Sequence, residues 1–302
     1  MSVQTWKKII TLTVVGIIII LLAVSIVNIV KVGELTKELE GTIPLCDDPA
    51  TTTDESGADG IVDPRDKEYD KNDYQTWYKG LYVENDFVFT DDENEKVCYL
   101  TFDDGPNTTI TPKVLDTLKE YDVKATFFVI SPKGDGTDSL YKRIVDEGHT
   151  IGVHTASHKY EYIYSSAENY LKDFNKVSER VENATGVKPE IFRFPGGSVN
   201  SYNIGIYMQL ISEMYRRGYV PYDWNISSGD AAASYVSADD IVRNVVEKGQ
   251  NINKKIVLMH DGKGHGTTAE ALPRIIEGLQ AQGYTFKALD NNVRPVLFGY
   301  SS

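Results

Sequence analysis

From residue 95 onward, short apolar runs alternate with amphipathic stretches, and that alternation leaves few folds open to the chain. Val97–Phe102 reads as a strand, Thr111–Tyr121 as a helix, Lys124–Ile130 as a strand, Ser139–Glu147 as a helix closed by Gly148, and Thr150–Val153 as a strand. A helix is expected near Ala167–Thr185, with strands near Glu190–Arg193 and Val220–Trp224. A helix near Ala238–Lys248, a strand Ile256–Met259, a helix Ala269–Gln282 and a strand near Tyr284–Ala288 follow. Repeated βα units predict an α/β fold with a mostly parallel sheet, either open and doubly wound or closed into a barrel. Both arrangements gather ligand sites at the C-terminal ends of the strands.

The first 94 residues differ. After Trp6-Lys7-Lys8 no charge appears until Lys31, and Ile9 to Val30 is almost wholly apolar. A bilayer-spanning helix needs about 20 such residues, whereas the apolar part of a cleaved signal peptide is usually about 7–15. The expectation is a short cytoplasmic tail over 1–8 and an uncleaved transmembrane signal anchor over 9–30. Lys7 and Lys8 favour a cytoplasmic N-terminus, although Lys31 and Lys37 on the far side nearly balance them. Residues 31–73 are acidic, rich in Thr, Gly and Pro, and lack apolar periodicity, which reads as a flexible linker. Residues 74–94 carry Tyr74, Trp77, Tyr78, Tyr82, Phe87 and Phe89. They read as a lead-in packed on the domain that follows, with a sugar-stacking platform as the open alternative. The domain itself runs over 95–302.

A formal net charge of -13 argues against nucleic acid as a partner, because phosphate binding needs a basic face. The two cysteines, Cys46 and Cys98, are too few and too far apart for a disulfide framework or a cysteine zinc site. Cys98 sits in an apolar run and reads as a small buried hydrophobe. No protein partner is inferred.

The unusual polar residues fall at strand ends. Asp103-Asp104-Gly105-Pro106 follows the first strand, His154-Thr-Ala-Ser-His158 the third, and Arg193-Phe-Pro-Gly-Gly-Ser198 a later one. Asp223 and Asp230 bracket another, and Leu258-Met-His260-Asp261 closes the penultimate strand. Two histidines four apart would share one face of a helical turn and reach one ion, although spacing alone fits two unrelated surface histidines equally well. A carboxylate from a neighbouring strand end would complete a three-ligand catalytic site, and Asp104 is the natural candidate. Adjacent side chains leaving a strand diverge, so one aspartate can bind metal while the other serves as general base. By itself Asp-Asp-Gly-Pro would read as a plain turn. His149 and His265 belong to no cluster and read as surface or rim residues, His265 in a glycine-rich loop that could line a cleft.

In order and spacing, Thr101-Phe-Asp-Asp-Gly-Pro106, His154-Thr-Ala-Ser-His158, Arg193-Phe-Pro-Gly-Gly197, the Asp230 region and Leu258-Met-His260 resemble the five motifs of the polysaccharide deacetylase family, also called the NodB homology domain or carbohydrate esterase family 4. The resemblance spans roughly Glu95 to Phe298. It implies a distorted (β/α) barrel and a divalent metal, zinc foremost, with Co2+, Ni2+ or Mn2+ as alternatives. By motif it implies Asp103 as general base, Asp104, His154 and His158 as metal ligands, His260 as general acid, Arg193 as the partner of Asp103, and Asp230 as the residue that orients His260. Leu258 would line a pocket for the acetyl methyl, with Pro195, Gly196, Gly197 and Trp224 around the substrate. Gly196 replaces the family's common aromatic, and Asp230-Ala231 replaces a common Asp-Trp pair. Glycine still offers a backbone N–H for an oxyanion, and Trp224 is the candidate to replace the lost wall. The expected reaction is N-deacetylation of cell-wall glycan, with N-acetylglucosamine of peptidoglycan first. Chitin oligomers or acetylxylan are alternative substrates, and an inactive sugar-binding module on a membrane stalk is the alternative of another class.

Overall fold

Seven parallel strands in the order β5-β4-β3-β2-β1-β7-β6 set the architecture seen in a computed structural model, which describes residues 73–92 and 94–299. The strands are β1 (Val97–Asp103), β2 (Thr126–Val129), β3 (Thr150–Val153), β4 (Ile191–Phe192), β5 (Val220–Pro221), β6 (Ile226–Ser227) and β7 (Lys254–His260). An eighth, β8 (Thr285–Phe286), pairs with Val97 and Cys98 at the start of β1, on the edge that β2 takes further along at Thr101–Asp103. The helices are α1 (Thr111–Glu120), α2 (Thr137–Asp146), α3 (Tyr160–Ile163), α4 (Ala167–Thr185), α5 (Tyr207–Arg216), α6 (Ala238–Val246) and α7 (Gly266–Ala281). Among the described residues no ladder joins β5 to β6, so the expected barrel is a distorted, parallel half-barrel.

Strand alternation divides the core in two. Leu100 and Phe102 of β1, Phe127 and Val129 of β2, and Val257 and Met259 of β7 face the helices, where Val114, Leu118, Phe174, Leu272 and Ile276 meet them. Val97, Tyr99, Phe128, Ile191, Val220 and Ile256 turn to the inner face, with Leu289 and Val293 from the C-terminal segment. Because side chains repeat every second residue, Thr101 and Asp103 continue the inner row of β1, and Leu258 and His260 that of β7. Register places Thr101 beside Leu258 and Asp103 beside His260. The inner core thus changes from apolar to ionisable over the last two inward positions.

Capping fixes two helices. Ser166 accepts from Asn169 N–H at the start of α4, which Gly186 ends in the left-handed region, and Ser237 accepts from Asp240 N–H at the start of α6. The sequence reading did not include α3, α5 or β6. The apolar stripe of α5 (Leu210, Ile211, Met214) is interrupted by Glu213, which is buried against Arg217 at 2.6 Å and so disguises the helical period.

Residues 74–92 pack as a lead-in. Tyr74, Leu81 and Val83 are buried, and Phe87 meets Tyr215 edge to face. The buried Arg217 guanidinium donates to the carbonyls of Tyr74, Trp77, Tyr78 and Leu81. The expected signal anchor over 9–30, the linker up to residue 72 and Cys46 lie outside the described residues. Among the described residues no helix is long and apolar enough to cross a membrane. Cys98 is fully buried, as its apolar run implied. His149, read as a surface residue, is instead buried. Its Nδ1 accepts from Ala125 N–H, its ring packs edge-on to Phe127, and burial pushes its pKa down to about 4.

Candidate active site

Asp103 ends β1 with its carboxylate buried, and Asp104 follows at φ +68°, a left-handed conformation that aspartate tolerates better than most residues. That turn separates the two carboxylates. Asp103 Oδ1 accepts from Arg193 Nη1 at 2.8 Å, while Asp104 Oδ1 lies 3.2 Å from His158 Nε2 and 3.7 Å from His154 Nε2. Gly105 permits the turn to close, since a Cβ there would stand 2.2 Å from Asp261 Oδ1. The other Asp261 oxygen accepts from Thr111 Oγ1 at 2.5 Å, and burial, with Asp104 and Asp103 nearby, pushes this carboxyl up to about 7.

His154 and His158 are not on a helical turn, contrary to the spacing argument. Thr155 and His158 both have positive φ, and the loop is held by Asp173 of α4, whose Oδ1 accepts from the N–H of Ala156 and Ser157 and from Ser157 Oγ. A buried carboxylate with three donors outweighs the local preference for a regular turn. The rings still converge, with centroids 5.1 Å apart.

Asp104, His154 and His158 each offer a ligand atom, all within 4.8 Å of one another. The set fits a divalent cation on three counts. Asp104 Oδ1 is buried without a hydrogen-bond donor. His154 Nδ1 lies 2.8 Å from Arg193 C=O, which places the proton there and leaves the Nε2 lone pair facing Asp104. Burial, helped by His158 and opposed by Asp104, pushes the His154 pKa down to about 3, so the ring is neutral and ready to ligate.

Arg193 is fully buried, and all three of its guanidinium nitrogens donate, in four hydrogen bonds. Nε donates to Tyr222 C=O, Nη1 to Thr101 Oγ1 (2.6 Å) and Asp103 Oδ1, and Nη2 to Asp223 C=O. Its Cζ lies 4.3 Å from the Phe128 ring centroid and 5.7 Å from that of Trp224. Burial raises the Asp103 pKa, and the charges of Arg193 and His260 pull it back.

His260 ends β7 with Nδ1 2.8 Å from Asp230 Oδ1. Asp230 Oδ2 accepts from the His260 N–H and from Thr268 Oγ1, both at 2.8 Å. Burial opposes the imidazolium, but the Asp230 bond and charge, with Asp103 and Asp104 beyond, outweigh it and raise the His260 pKa to about 9. Burial would also raise the Asp230 pKa, and the bonds and charge of His260 hold it below the usual carboxylate range.

Leu258 is buried beside Thr101. Pro195 C=O accepts from Tyr164 Oη, and Gly197 N–H donates to Phe194 C=O. The Gly196 N–H has no acceptor among the described residues. Trp224 meets Phe298 edge to face. Ala231 lines a small cleft with Tyr235 and His265.

Tyr160 escaped sequence reasoning, and His265, read as a rim residue in a loop that could line a cleft, does line one and also touches His260. Gly196 has φ +76°, and a Cβ there would stand 2.8 Å from the ring of Tyr160, which therefore fills the space of the missing side chain. Tyr160 also meets His158 edge to face at 5.2 Å and Tyr202 at 5.0 Å. His265 stacks on His260, with centroids 4.9 Å apart. Both lie just past a motif, at positions that no spacing rule marks.

The polysaccharide deacetylase family model matches residues 90–217. A peptidoglycan-N-acetylglucosamine deacetylase of Bacillus cereus is 34% identical over 204 residues, 67% of this chain and 90% of that relative. The chain belongs to the polysaccharide deacetylase family. A bifunctional xylanase/deacetylase of Pseudobutyrivibrio xylanivorans is 35% identical over 198 residues, 65% of this chain and 30% of that protein. The crystal structure of the catalytic domain of a peptidoglycan N-acetylglucosamine deacetylase from Eubacterium rectale superposes with a TM-score of 0.67 and 37% identity, covering 71% of this chain and 98% of that one. This deacetylase therefore has its family's distorted half-barrel, with Asp230 and His260 beyond the matched residues but on the same fold.

Proposed function

We propose that the chain is a metal-dependent hydrolase that removes N-acetyl groups from cell-wall glycan, with N-acetylglucosamine of peptidoglycan as substrate. The observation that carries the reading is the meeting of three sets at one end of the sheet: Asp104 with His154 and His158, Asp103 with Arg193, and His260 with Asp230. The relatives from Bacillus cereus and Listeria monocytogenes named for peptidoglycan N-acetylglucosamine support the substrate. The xylanase/deacetylase relative makes acetylated xylan the second reading. Residues 9–30 would hold the enzyme at the membrane, with the catalytic domain outside the cell.

Asp104, His154 and His158 would hold the cation, which when bound polarises the acetyl carbonyl and acidifies water. Zinc suits the two-imidazole, one-carboxylate donor set. Asp103 takes a proton from the attacking water, and Arg193 keeps that carboxylate ionised and aligned. The Gly196 N–H donates to the oxyanion as the carbonyl carbon becomes tetrahedral. Leu258 lies beside the acetyl methyl. His260 gives its proton to the sugar nitrogen as the carbon–nitrogen bond breaks, so that acetate and a free amine leave.

The purified chain should generate glucosamine in peptidoglycan, read by mass spectrometry of digested glycan, alongside parallel reactions on chitin oligomers and acetylated xylan. Amine formation in peptidoglycan supports the reading, acetate release from xylan alone replaces the substrate, and inertness on all three overturns it. Asp104→Ala should lose metal and turnover together, whereas Asp103→Asn should keep metal and lose about 100-fold or more in kcat. The reverse pattern would exchange the two aspartates.

A further inference from the structure

The proposed mechanism uses Asp230 and His260 but not His265, and these three residues repeat the donor chemistry of the first metal set. Their ligand-capable atoms also lie within 4.8 Å of one another. Asp230 comes from the loop after β6, His260 from the end of β7, and His265 from the turn leading into α7. His265 Nδ1 is 3.9 Å from Asp230 Oδ2, the His260 and His265 rings stack with 25° between their planes, and both imidazoles are partly open to solvent. A cleft of about 280 Å³, lined by Asp230, Ala231, Tyr235, His265 and Thr267 with Lys263, opens onto Asp230 and His265.

We propose that Asp230, His260 and His265 form a second, weaker divalent-cation site, and that zinc bound there inhibits hydrolysis. Two imidazoles and a carboxylate suit zinc, copper and nickel better than calcium or magnesium. The weakness follows from Asp230, whose Oδ2 already accepts two hydrogen bonds, whereas Asp104 Oδ1 accepts none. Occupation would require His260 to release its proton to solvent, and the cation would then hold the nitrogen lone pair. The leaving amine would then meet the remaining N–H of a neutral, cation-bound ring, a much weaker acid than the imidazolium, while the first set stayed loaded. The inhibitory half of the proposal rests on the acid role of His260. The binding half does not.

The test uses the full chain and cobalt(II), followed by visible absorption. The wild type should take up two equivalents in separable steps, and His265→Ala only the tighter one. Asp104→Ala should lose the tighter step and keep the weaker. In the hydrolysis assay, His265→Ala should need at least about tenfold more zinc for half-inhibition, the scale on which even an outer partner's loss weakens a metal site. Circular dichroism checks folding, and His265→Gln replaces the alanine variant if that one does not fold. One equivalent in the wild type, or an unchanged second step in both His265 variants, overturns the site. Two equivalents with equal zinc inhibition in wild type and variant overturn the inhibition. A chain inert on every glycan would remove the proposed function and leave the cobalt stoichiometry to decide the site.

Discussion

His154 and His260 are driven in opposite directions by the same end of the sheet. Both are largely buried, but His154 presents Nδ1 to a carbonyl and stays neutral, whereas His260 presents it to a carboxylate and stays charged. The acid form of His260 is present below its pKa of about 9 and is lost as pH rises through that value. Asp230→Asn removes the charge that raises it and leaves the burial that lowers it. The alkaline limb of kcat/KM should therefore move to lower pH, and a limb that stays in place would separate it from His260. The acidic limb, set by ionisation of Asp103, should stay in place. At this scale the sequence was readable for position, since Asp103, Asp104, Arg193 and His260 stand at or just past strand ends as read. Tyr160 was not readable, and His265 only as a residue that could line a cleft, because the rings they touch are set after the loops have closed.

Elements were legible in proportion to their periodicity. Thr150–Val153 and Ala167–Thr185 stand as read, because one is an uninterrupted strand run and the other has a serine cap, an apolar stripe and a terminal glycine. The strands β4 and β5 are two residues each, since the chain turns away as soon as Arg193 and Tyr222 have reached their partners. The His154–His158 loop was beyond local reasoning, because its shape is imposed by Asp173 from another element. Asp173→Ala would leave two backbone N–H groups and one hydroxyl without their acceptor, each unmet group costing about 1–3 kcal/mol. The loop should loosen, metal affinity should fall by about tenfold or more, and the thermal midpoint should drop by several degrees. Normal metal affinity in a destabilised Asp173→Ala protein would show that the loop is held by other contacts.

For the whole molecule, the parallel direction of the strands was implied by the βα alternation, but their order and the gap between β5 and β6 were not, since the alternation suits an open sheet and a closed barrel equally. The lead-in behaves as part of the catalytic domain because Arg217 gathers its carbonyls. Proteolysis should accordingly spare residues 74–92. On the proposed external orientation, protease applied to intact cells should release an active fragment that keeps residues 74–92, read by terminal sequencing. Protection until lysis would place the domain inside and remove peptidoglycan as substrate.

Arg193 reaches across the inner face from the end of β4 to Thr101 and Asp103 of β1, and its other nitrogens hold the carbonyls of Tyr222 and Asp223. Removing one partner from such a buried pair costs about 3–5 kcal/mol, a large part of the 5–15 kcal/mol by which domains are usually stable. Chemistry and architecture therefore share one side chain and cannot drift apart by single steps. A descendant that abandoned hydrolysis would still have to keep this guanidinium, or rebuild the inner face around its absence. Its presence is therefore a record of ancestry rather than proof of activity, and the part-exposed His158, which no structural hydrogen bond ties down among the described residues, is where a lapse in function would first be written.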